Sequence, residues 1–346
     1  MWIKLSAFLL LCLALLSTNL SYASESSGAI ILGYQRIGED NHPDTNIQEE
    51  QFLQHMRILI DENYTILPLD KIITELPSTH FKENIIGITF DGGYASVNKI
   101  IPFLQQNKIP ATFFIPFGVI EQNNTQFLNL KTLEKIIKDP LFDIQITTHD
   151  YGRLRQNNER NLEQLNLSRT TYRELFDKEA IFFSYPFGEY SLAFKELLKE
   201  QNITAAFTQN SSPANAKTDL YELPRFVMTE DYANPSRFRH IIQSHALNIS
   251  NITPESPFLK TDKPRFSFML DTINSELSCY LSQHGKLSLK ISDGNRADIT
   301  LPEPITQRRV RLNCTQPSHR EGITTWHWFG KLYILEEESN QQQPQH

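Results

Sequence analysis

Short, largely apolar runs alternate with stretches of helical periodicity through the first part of the chain. Residues 29–34, 85–90 and 111–117 are apolar almost throughout, as expected of strands that are buried on both faces. Between the first two runs, apolar residues recur at three- and four-residue intervals over residues 47–62, which predicts a helix capped by Asn46. This alternation favours consecutive βα units and therefore a parallel sheet.

The same alternation continues to about residue 207. Strands are predicted over residues 64–67, 142–147, 180–185 and 204–207, and helices over residues 130–138, 158–176 and 191–201. In barrels built from such units, functional side chains gather at the carboxyl ends of the strands. Asp91, residues 147–151 and residues 186–188 all follow predicted strands, so they could converge in one mouth.

The periodicity changes near residue 248. Residues 248–263 are rich in Asn, Ser, Thr and Pro and are predicted to be a linker. Beyond them, short segments of period-two alternation separated by turn residues predict a small antiparallel, sandwich-like β domain over residues 264–335. The polar residues 336–346 are predicted to be a disordered tail.

The amino terminus has the composition of an export signal. Residues 1–23 combine Lys4, an apolar run over residues 5–16 and a small-x-small sequence ending at Ala23. The apolar run is short for a bilayer span, and a retained membrane anchor is the alternative. We therefore expect an exported protein of the bacterial envelope, periplasmic or extracellular, with no membrane span once the signal is cleaved.

Cysteine content and charge narrow the possibilities further. Without residues 1–23, the chain keeps two cysteines, Cys279 and Cys314, and an oxidising compartment allows them to pair. We predict that they form a disulfide within the β domain. The formal net charge of −7 argues against a nucleic-acid partner, because neutralising phosphates requires a basic surface.

The most specific motif is the sequence ITFDGGY at residues 88–94, a buried strand that ends in an acidic residue and a glycine turn. It resembles the T-F-D-D-G/A motif of the polysaccharide deacetylases, the NodB-homology or carbohydrate esterase family 4 enzymes. The resemblance implies a distorted parallel (β/α) barrel over about residues 28–247, with Asp91 as the catalytic base. It also implies hydrolysis of N-acetyl groups on an exported polysaccharide or on peptidoglycan by a metal-bound water.

The metal-ligand positions implied by this resemblance do not carry metal ligands. The second Asp of the family motif is Gly92 here, and the segment at residues 143–154 places Thr147 and Tyr151 where the family has two His residues. Glycine has no ligand atom, and threonine and neutral tyrosine oxygens are weak donors for zinc-like ions. We therefore expect no bound metal or other cofactor, and lost or much reduced hydrolysis.

Two alternatives stay open at this point. His149 and Asp150 could join Asp91 in a rearranged site for a zinc-like divalent metal, which would make the protein an active carbohydrate N-deacetylase. Otherwise, both are solvated loop residues. A further hypothesis is a scaffold protein of the envelope that uses the β domain as its contact.

A second familial segment is FFSYPFGEY at residues 182–190, which resembles F-x-Y-P-Y-G-x-Y. In the family, the backbone N–H after the proline helps to form the oxyanion hole, so the resemblance gives this role to Phe187. Tyr185, Pro186 and Gly188 are then expected to contact the substrate.

Arg225 lies in the sequence LPRFVM, which resembles a later strand of the same family. The resemblance suggests that Arg225 orients the site carboxylate, as charged groups behind a site often do. The alternative is an arginine on the surface of a strand.

Overall fold

The computed structural model describes residues 28–78, 85–122, 124–154, 157–292 and 294–336. The predicted signal at residues 1–23 lies outside the described residues, as does all but the first residue of the predicted tail. None of the helices in these ranges combines the length and the apolar character that crossing a bilayer requires.

The strands of the first part of the chain form a curled, mainly parallel sheet. They are β1 (Gly28–Tyr34), β2 (Arg36–Ile37), β3 (Asn46–Ile47), β4 (Thr65–Ile66), β5 (Ile85–Asp91), β6 (Ala111–Ile115), β7 (Phe142–Ile146), β8 (Phe182–Ser184), β9 (Ala205–Phe207), β10 (Ala214–Asn215) and β11 (Phe226–Val227). The main sheet runs β10-β1-β5-β6-β7-β8-β9, with β11 beside β1 and β4 beside β5, while β2 and β3 pair separately. Within the main sheet only β10 pairs antiparallel to its neighbour.

Helices connect these strands and cover the sheet. The α-helices are Glu49–Asp61, Leu69–Glu75, Ile101–Gln106, Phe117–Glu121, Leu130–Lys138, Asn158–Phe176, Leu192–Glu200 and Pro235–Ile242, and the 3₁₀ turns are Ala95–Lys99, Pro186–Gly188 and Glu230–Tyr232. The predicted Asn46 cap is wrong. Gln48 forms a capping box with Gln51 instead, and the Asn46 side-chain oxygen accepts a hydrogen bond from the Glu39 N–H.

A short segment after β10 brings the two ends of the curled sheet together. Leu223 forms a parallel bridge with Phe207 at the end of β9, and β11 pairs with β1 three residues later. The expected distorted (β/α) barrel is thereby confirmed as a fold. The side chain of Arg225, between these two connections, is completely buried in the interior.

The strands of the second part of the chain form two sheets, which we call the β domain. They are β12 (His245–Ala246), β13 (Ile249–Thr253), β14 (Phe258–Leu259), β15 (Phe266–Leu270), β16 (Ser278–Leu281), β17 (Gly285–Lys286), β18 (Ser288–Ser292), β19 (Arg296–Thr300), β20 (Arg309–Arg320) and β21 (Ile323–Leu335). One sheet runs β12-β21-β20-β16-β17 with β14 beside β21, and the other runs β13-β15-β19-β18. Phe266 approaches Tyr333 across the two sheets, with ring centroids 5.0 Å apart.

Residues 248–263 are not the irregular linker that their composition suggested. Strand β13 pairs antiparallel with β15, and β14 pairs with β21. Both strands therefore belong to the sheets of the β domain. The polar side chains of β13 are largely exposed at a sheet edge, which explains why no apolar alternation marks the strand.

The predicted disulfide is confirmed. Cys279 of β16 and Cys314 of β20 are direct cross-strand partners with Cα atoms 4.1 Å apart, and both are fully buried. On the opposite face of β20, Asn313 accepts hydrogen bonds from Ser211 of the barrel and from Trp328 of β21. The long β20–β21 hairpin therefore has one face in the core of the β domain and the other against the barrel.

Candidate functional site

Asp91 ends β5, so the apolar strand delivers a carboxylate directly to the mouth of the barrel. Arg225 donates to both carboxylate oxygens at 2.8 Å, and the Ser184 hydroxyl at the end of β8 donates to Oδ1 at 3.0 Å. The Asp91 side chain is only 6% exposed. A carboxylate this deeply buried requires such partners, because an unpaired buried charge is costly.

Arg225 uses every one of its side-chain donors inside the barrel. Besides the two bonds to Asp91, it donates to Thr89 Oγ1 at 3.1 Å, Ser184 Oγ at 2.8 Å and the Thr208 carbonyl at 2.9 Å. The alternative of a surface strand arginine is therefore wrong. The five bonds fix the position of the Asp91 carboxylate relative to the surrounding strands.

Gly92 adopts a positive φ of 88° immediately after Asp91. A Cβ at this position would lie 2.6 Å from Cε2 of Tyr94 and 3.2 Å from the hydroxyl oxygen of Tyr151. The space next to Gly92 is thus filled by two tyrosine side chains, and an L-residue here would be strained both by its backbone and by these neighbours.

Tyr151 closes this side of the mouth from the loop after β7. Its ring lies 5.3 Å from that of Phe187, and its own φ is 55°, a conformation that bulky residues adopt only when their surroundings impose it. Burial raises the pKa of the Tyr151 phenol well above its usual value, and the nearby Asp91 carboxylate adds to this effect. The phenol is therefore neutral at physiological pH and is a weak metal donor.

Thr147 follows β7 directly and is buried. Its carbonyl accepts a hydrogen bond of 2.7 Å from Ser168, whereas its hydroxyl Oγ1 has no hydrogen-bond partner in the described part of the chain. A buried hydroxyl without a hydrogen-bond partner destabilises the folded state unless another group bonds to it.

The divalent metal implied by the familial resemblance does not fit these residues. The three ligand positions carry Gly92 without a donor, the lone hydroxyl of Thr147 and the neutral phenol of Tyr151. Across the described ranges, no cluster of three or more His, Cys, Asp or Glu side chains is arranged to hold a metal ion. The remaining carboxylate, Asp91, is already bound on both oxygens by Arg225.

The structure does not bring His149 and Asp150 to Asp91. The His149 ring packs against Gly118, and its Nε2 lies 3.8 Å from Glu121. Asp150 pairs with Arg160 at 2.9 Å on the exposed side of the loop. The substitute ligand set is therefore not formed, because both side chains contact these other residues.

The turn after β8 holds Phe187 at the mouth in a left-handed conformation, with φ of 57°. Of the four residues expected at this turn, only Phe187 is partly exposed. Tyr185 is fully buried, and its hydroxyl donates to the Tyr221 carbonyl at 2.9 Å. Pro186 and Gly188 are also buried. Tyr185, Pro186 and Gly188 were expected to contact the substrate, but in the structure they form the buried framework of the turn.

Sequence reasoning missed Ser184, Tyr94 and Arg309. Ser184 ends a predicted strand beside the familial turn, a position that could have marked it as a neighbour of Asp91. Tyr94 lies within the most specific motif, but its ring position depends on the Gly92 turn. Arg309 donates to the Phe187 carbonyl from β20, more than one hundred residues along the chain, and no local pattern predicts that contact.

Comparison with known proteins agrees with this architecture. Residues 78–206 match the family model for polysaccharide deacetylases. A poly-beta-1,6-N-acetyl-D-glucosamine N-deacetylase of Staphylococcus aureus is 22% identical over 246 residues, covering 63% of this chain and 83% of that protein. The corresponding protein of Staphylococcus epidermidis is 21% identical over 234 residues, covering 60% of this chain and 81% of that protein.

Two solved structures share the fold. Deacetylase PplD of Streptococcus pyogenes, solved in complex with acetate, superposes with a TM-score of 0.58 at 20% identity, covering 63% of this chain and 99% of that one. IcaB from Ammonifex degensii gives a TM-score of 0.56 at 19% identity, covering 64% of this chain and 99% of that one. Together with the strand-end carboxylate and the familial turn at Phe187, the matching family model identifies residues 78–206 as a polysaccharide deacetylase domain.

Proposed function

We propose that this protein binds an exported N-acetylated polysaccharide at the mouth of its barrel, and that its metal-dependent hydrolysis is lost or much reduced. The observation that carries the proposal is the contrast around Asp91. The base position survives as a buried, fully paired carboxylate, while the adjoining ligand positions are Gly92, Thr147 and Tyr151. The relatives act on poly-N-acetylglucosamine by name, which makes a glycan of that kind the first ligand to test.

The reduced hydrolysis follows from what the remaining groups can do. In an active member, the metal activates water and the base removes its proton. Here Asp91 retains lone pairs for a proton, and Phe187 retains a backbone N–H at the oxyanion position. These two groups alone leave the water without a Lewis acid, so the uncatalysed barrier to amide hydrolysis stays largely in place.

Binding a glycan does not require the metal that hydrolysis requires. The Phe187 and Tyr151 rings give the mouth an aromatic surface, and aromatic rings can pack against the apolar faces of sugars. The sequence of residues 1–23 supports a location outside the cytoplasm, periplasmic or extracellular, where such a polymer would be found. Peptidoglycan is the second glycan to test.

Three measurements on the purified mature protein test the proposal. We expect binding of a β-1,6-linked N-acetylglucosamine hexasaccharide by calorimetry, no stoichiometric zinc, cobalt or nickel by elemental analysis, and no acetate release above background after metal is added. Phe187→Asn should weaken binding, because asparagine tolerates the left-handed backbone but removes the ring. Ile323→Ala, at a residue 69% exposed in the β domain, is the matched control.

Acetate release that depends on added metal would restore the active deacetylase in place of the binding protein. If neither glycan binds, the envelope scaffold becomes the better hypothesis. If Phe187→Asn still binds the hexasaccharide with unchanged affinity, the glycan binds elsewhere than at the mouth.

A further inference from the structure

Arginines from the β domain reach the candidate site. Arg309 and Arg311 lie two residues apart on β20 and therefore project from the same face, towards the barrel. Arg309 donates to the Phe187 carbonyl at 2.6 Å, and both guanidinium groups reach Gln209 Oε1, at 3.2 Å and 3.5 Å. The β domain thus places two cations at the rim of the mouth.

Two further arginines extend this row across the mouth. On the barrel side, the guanidinium of Arg153 lies 5.4 Å from the centre of the Phe187 ring. Beyond Arg311, the guanidinium of Arg237 lies 4.9 Å from the Tyr232 ring, whose residue is 48% exposed. We call Arg153, Arg309, Arg311 and Arg237 the arginine array.

In the part of the chain that the structure describes, the array has fewer neighbouring carboxylates than arginines. Glu189 is fully buried and forms a bidentate pair with Arg308, while Nε of Arg309 and Nε of Arg153 lie 3.5 Å and 4.0 Å from Glu189 Oε1. Among the described residues, Glu189 is thus the carboxylate within 4 Å of both Arg309 and Arg153, and it already pairs with Arg308.

The end of the array formed by Arg311 and Arg237 has still fewer carboxylates nearby in the described ranges. Within the described ranges, neither Arg311 nor Arg237 forms an ion pair with a carboxylate. The Nε atoms of Arg237 and Arg309 are buried and have no hydrogen-bond partner among the described residues. These guanidinium groups are held together in a protein whose formal net charge is −7.

Holding these cations together is unfavourable without an anion. Burial lowers the pKa of Arg309 to about 10, and Arg311 is the neighbouring charge that lowers it most. Burial likewise lowers the pKa of Arg311 and of Arg237. Partly buried like charges repel each other more strongly than they would in water, and a bound anion would relieve both the repulsion and the unused donors.

We propose that the arginine array binds acidic substituents of the polysaccharide, so that the ligand class of this protein is an anionic glycan bearing carboxylate or phosphate groups. This inference rests on the proposed glycan-binding function and specifies its ligand. Guanidinium groups bind carboxylate and phosphate in a bidentate manner, which suits a row of acidic groups along a polymer. Phe187 and Tyr232 pack against sugar rings at the two ends of the row.

Calorimetric titration of the mature protein with three hexasaccharides tests this inference. The probes are a galacturonate hexasaccharide, a neutral N-acetylglucosamine hexasaccharide and the same neutral chain phosphorylated on two residues. We expect an acidic probe to bind more tightly than the neutral one, with an affinity that falls as salt is added. The carboxylate and phosphate arms identify which substituent the array recognises.

Single substitutions then assign the binding to the array. Arg311→Gln and Arg237→Gln should each weaken the acidic probe by about tenfold or more, the usual range for a lost hydrogen bond to a charged group. Arg311→Lys keeps the positive charge but loses the bidentate guanidinium geometry, and should give an affinity between those of the wild type and Arg311→Gln. Arg57→Gln removes an arginine that pairs with exposed Glu50 and should change nothing.

The outcomes separate this inference from the function on which it rests. If the neutral probe binds as tightly as the acidic ones, and the array substitutions have no effect, the anionic class is wrong and glycan binding stands. If no probe binds, both are wrong. If Arg311→Gln fails to fold, Arg237→Gln and Arg311→Lys decide the question in its place.

Discussion

The two sides of the barrel mouth differ in how their side chains are arranged. On the Asp91 side, the carboxylate, Arg225, Thr89 and Ser184 form a buried network in which each charged group is paired. On the side of Gly92, the space for a ligand is filled by tyrosine rings. The difference shows that a buried carboxylate can be held firmly by the fold while the positions beside it carry no metal ligand.

The largest expected effect comes from separating the buried ion pair. Arg225→Met leaves the Asp91 carboxylate buried without its cation and should lower the free energy of unfolding by about 3–5 kcal/mol. Urea denaturation measures the loss. Adding Asp91→Leu to the same protein should recover much of it, because the second change removes the unpaired charge. Arg57→Met, in an exposed pair, is the control and should not change the midpoint.

The next effect tests whether Tyr94 keeps the metal side closed. Gly92→Asp with Thr147→His and Tyr151→His restores three ligand types, but the new Asp Cβ would still meet the Tyr94 ring at 2.6 Å. Adding Tyr94→Ala should therefore tighten zinc binding by about ten- to a hundredfold, because it relieves an overpacking of about 1–3 kcal/mol. Competition with a chromogenic chelator measures both variants. Equal affinities would show that Tyr94 moves aside freely.

A smaller effect isolates the strain at Gly92. Gly92→Ala must hold an L-residue at φ of 88° against the Tyr94 ring, and should cost about 2–3 kcal/mol of folding free energy. Gly285 has φ of 69° and nothing within 4 Å of an added Cβ, so Gly285→Ala should cost only about 1 kcal/mol. Thermal unfolding compares the two, and equal losses would mean that packing around Gly92 contributes nothing.

The smallest effect contrasts one threonine from each side of the mouth. Thr147→Val replaces a hydroxyl that has no partner among the described residues, and should change stability by less than about 1 kcal/mol in either direction. Thr89→Val removes a hydroxyl that donates to the Leu32 carbonyl and accepts from Arg225, and should cost about 1–3 kcal/mol. Denaturation of both proteins under the same conditions tests the difference. A large loss in Thr147→Val would reveal a bound partner for that hydroxyl.

The sequence predicted the barrel because its strands are local signals. Residues 85–90 are an apolar run that leads to Asp91, and residues 142–147 alternate apolar and polar side chains up to Thr147. The helix at Asn158–Phe176 has the bounds expected from the sequence. The linker that was wrongly predicted at residues 248–263 shows the limit of local patterns. Strand β13 is polar and lies at an edge, so only its pairing with β15 identifies it.

Within the site, the sequence predicted which atoms are missing better than which atoms replace them. The absence of a metal-donor atom at Gly92 follows directly from the residue type in the sequence. The occupation of that space by Tyr94 depends on the positive φ of the glycine, and the approach of Arg309 to Phe187 depends on how two distant parts of the chain pack. Such contacts are properties of the tertiary fold and have no local pattern.

Strand β21 also constrains the order in which the molecule can be assembled. It is the last described strand, yet it lies inside its sheet, with β20 on one side and β12 and β14 on the other. Because pairings between residues so far apart in sequence form slowly, β12, β14 and β20 keep open edges until Ile323–Leu335 is added. During folding, the protein would therefore be most prone to aggregation just before strand β21 is in place.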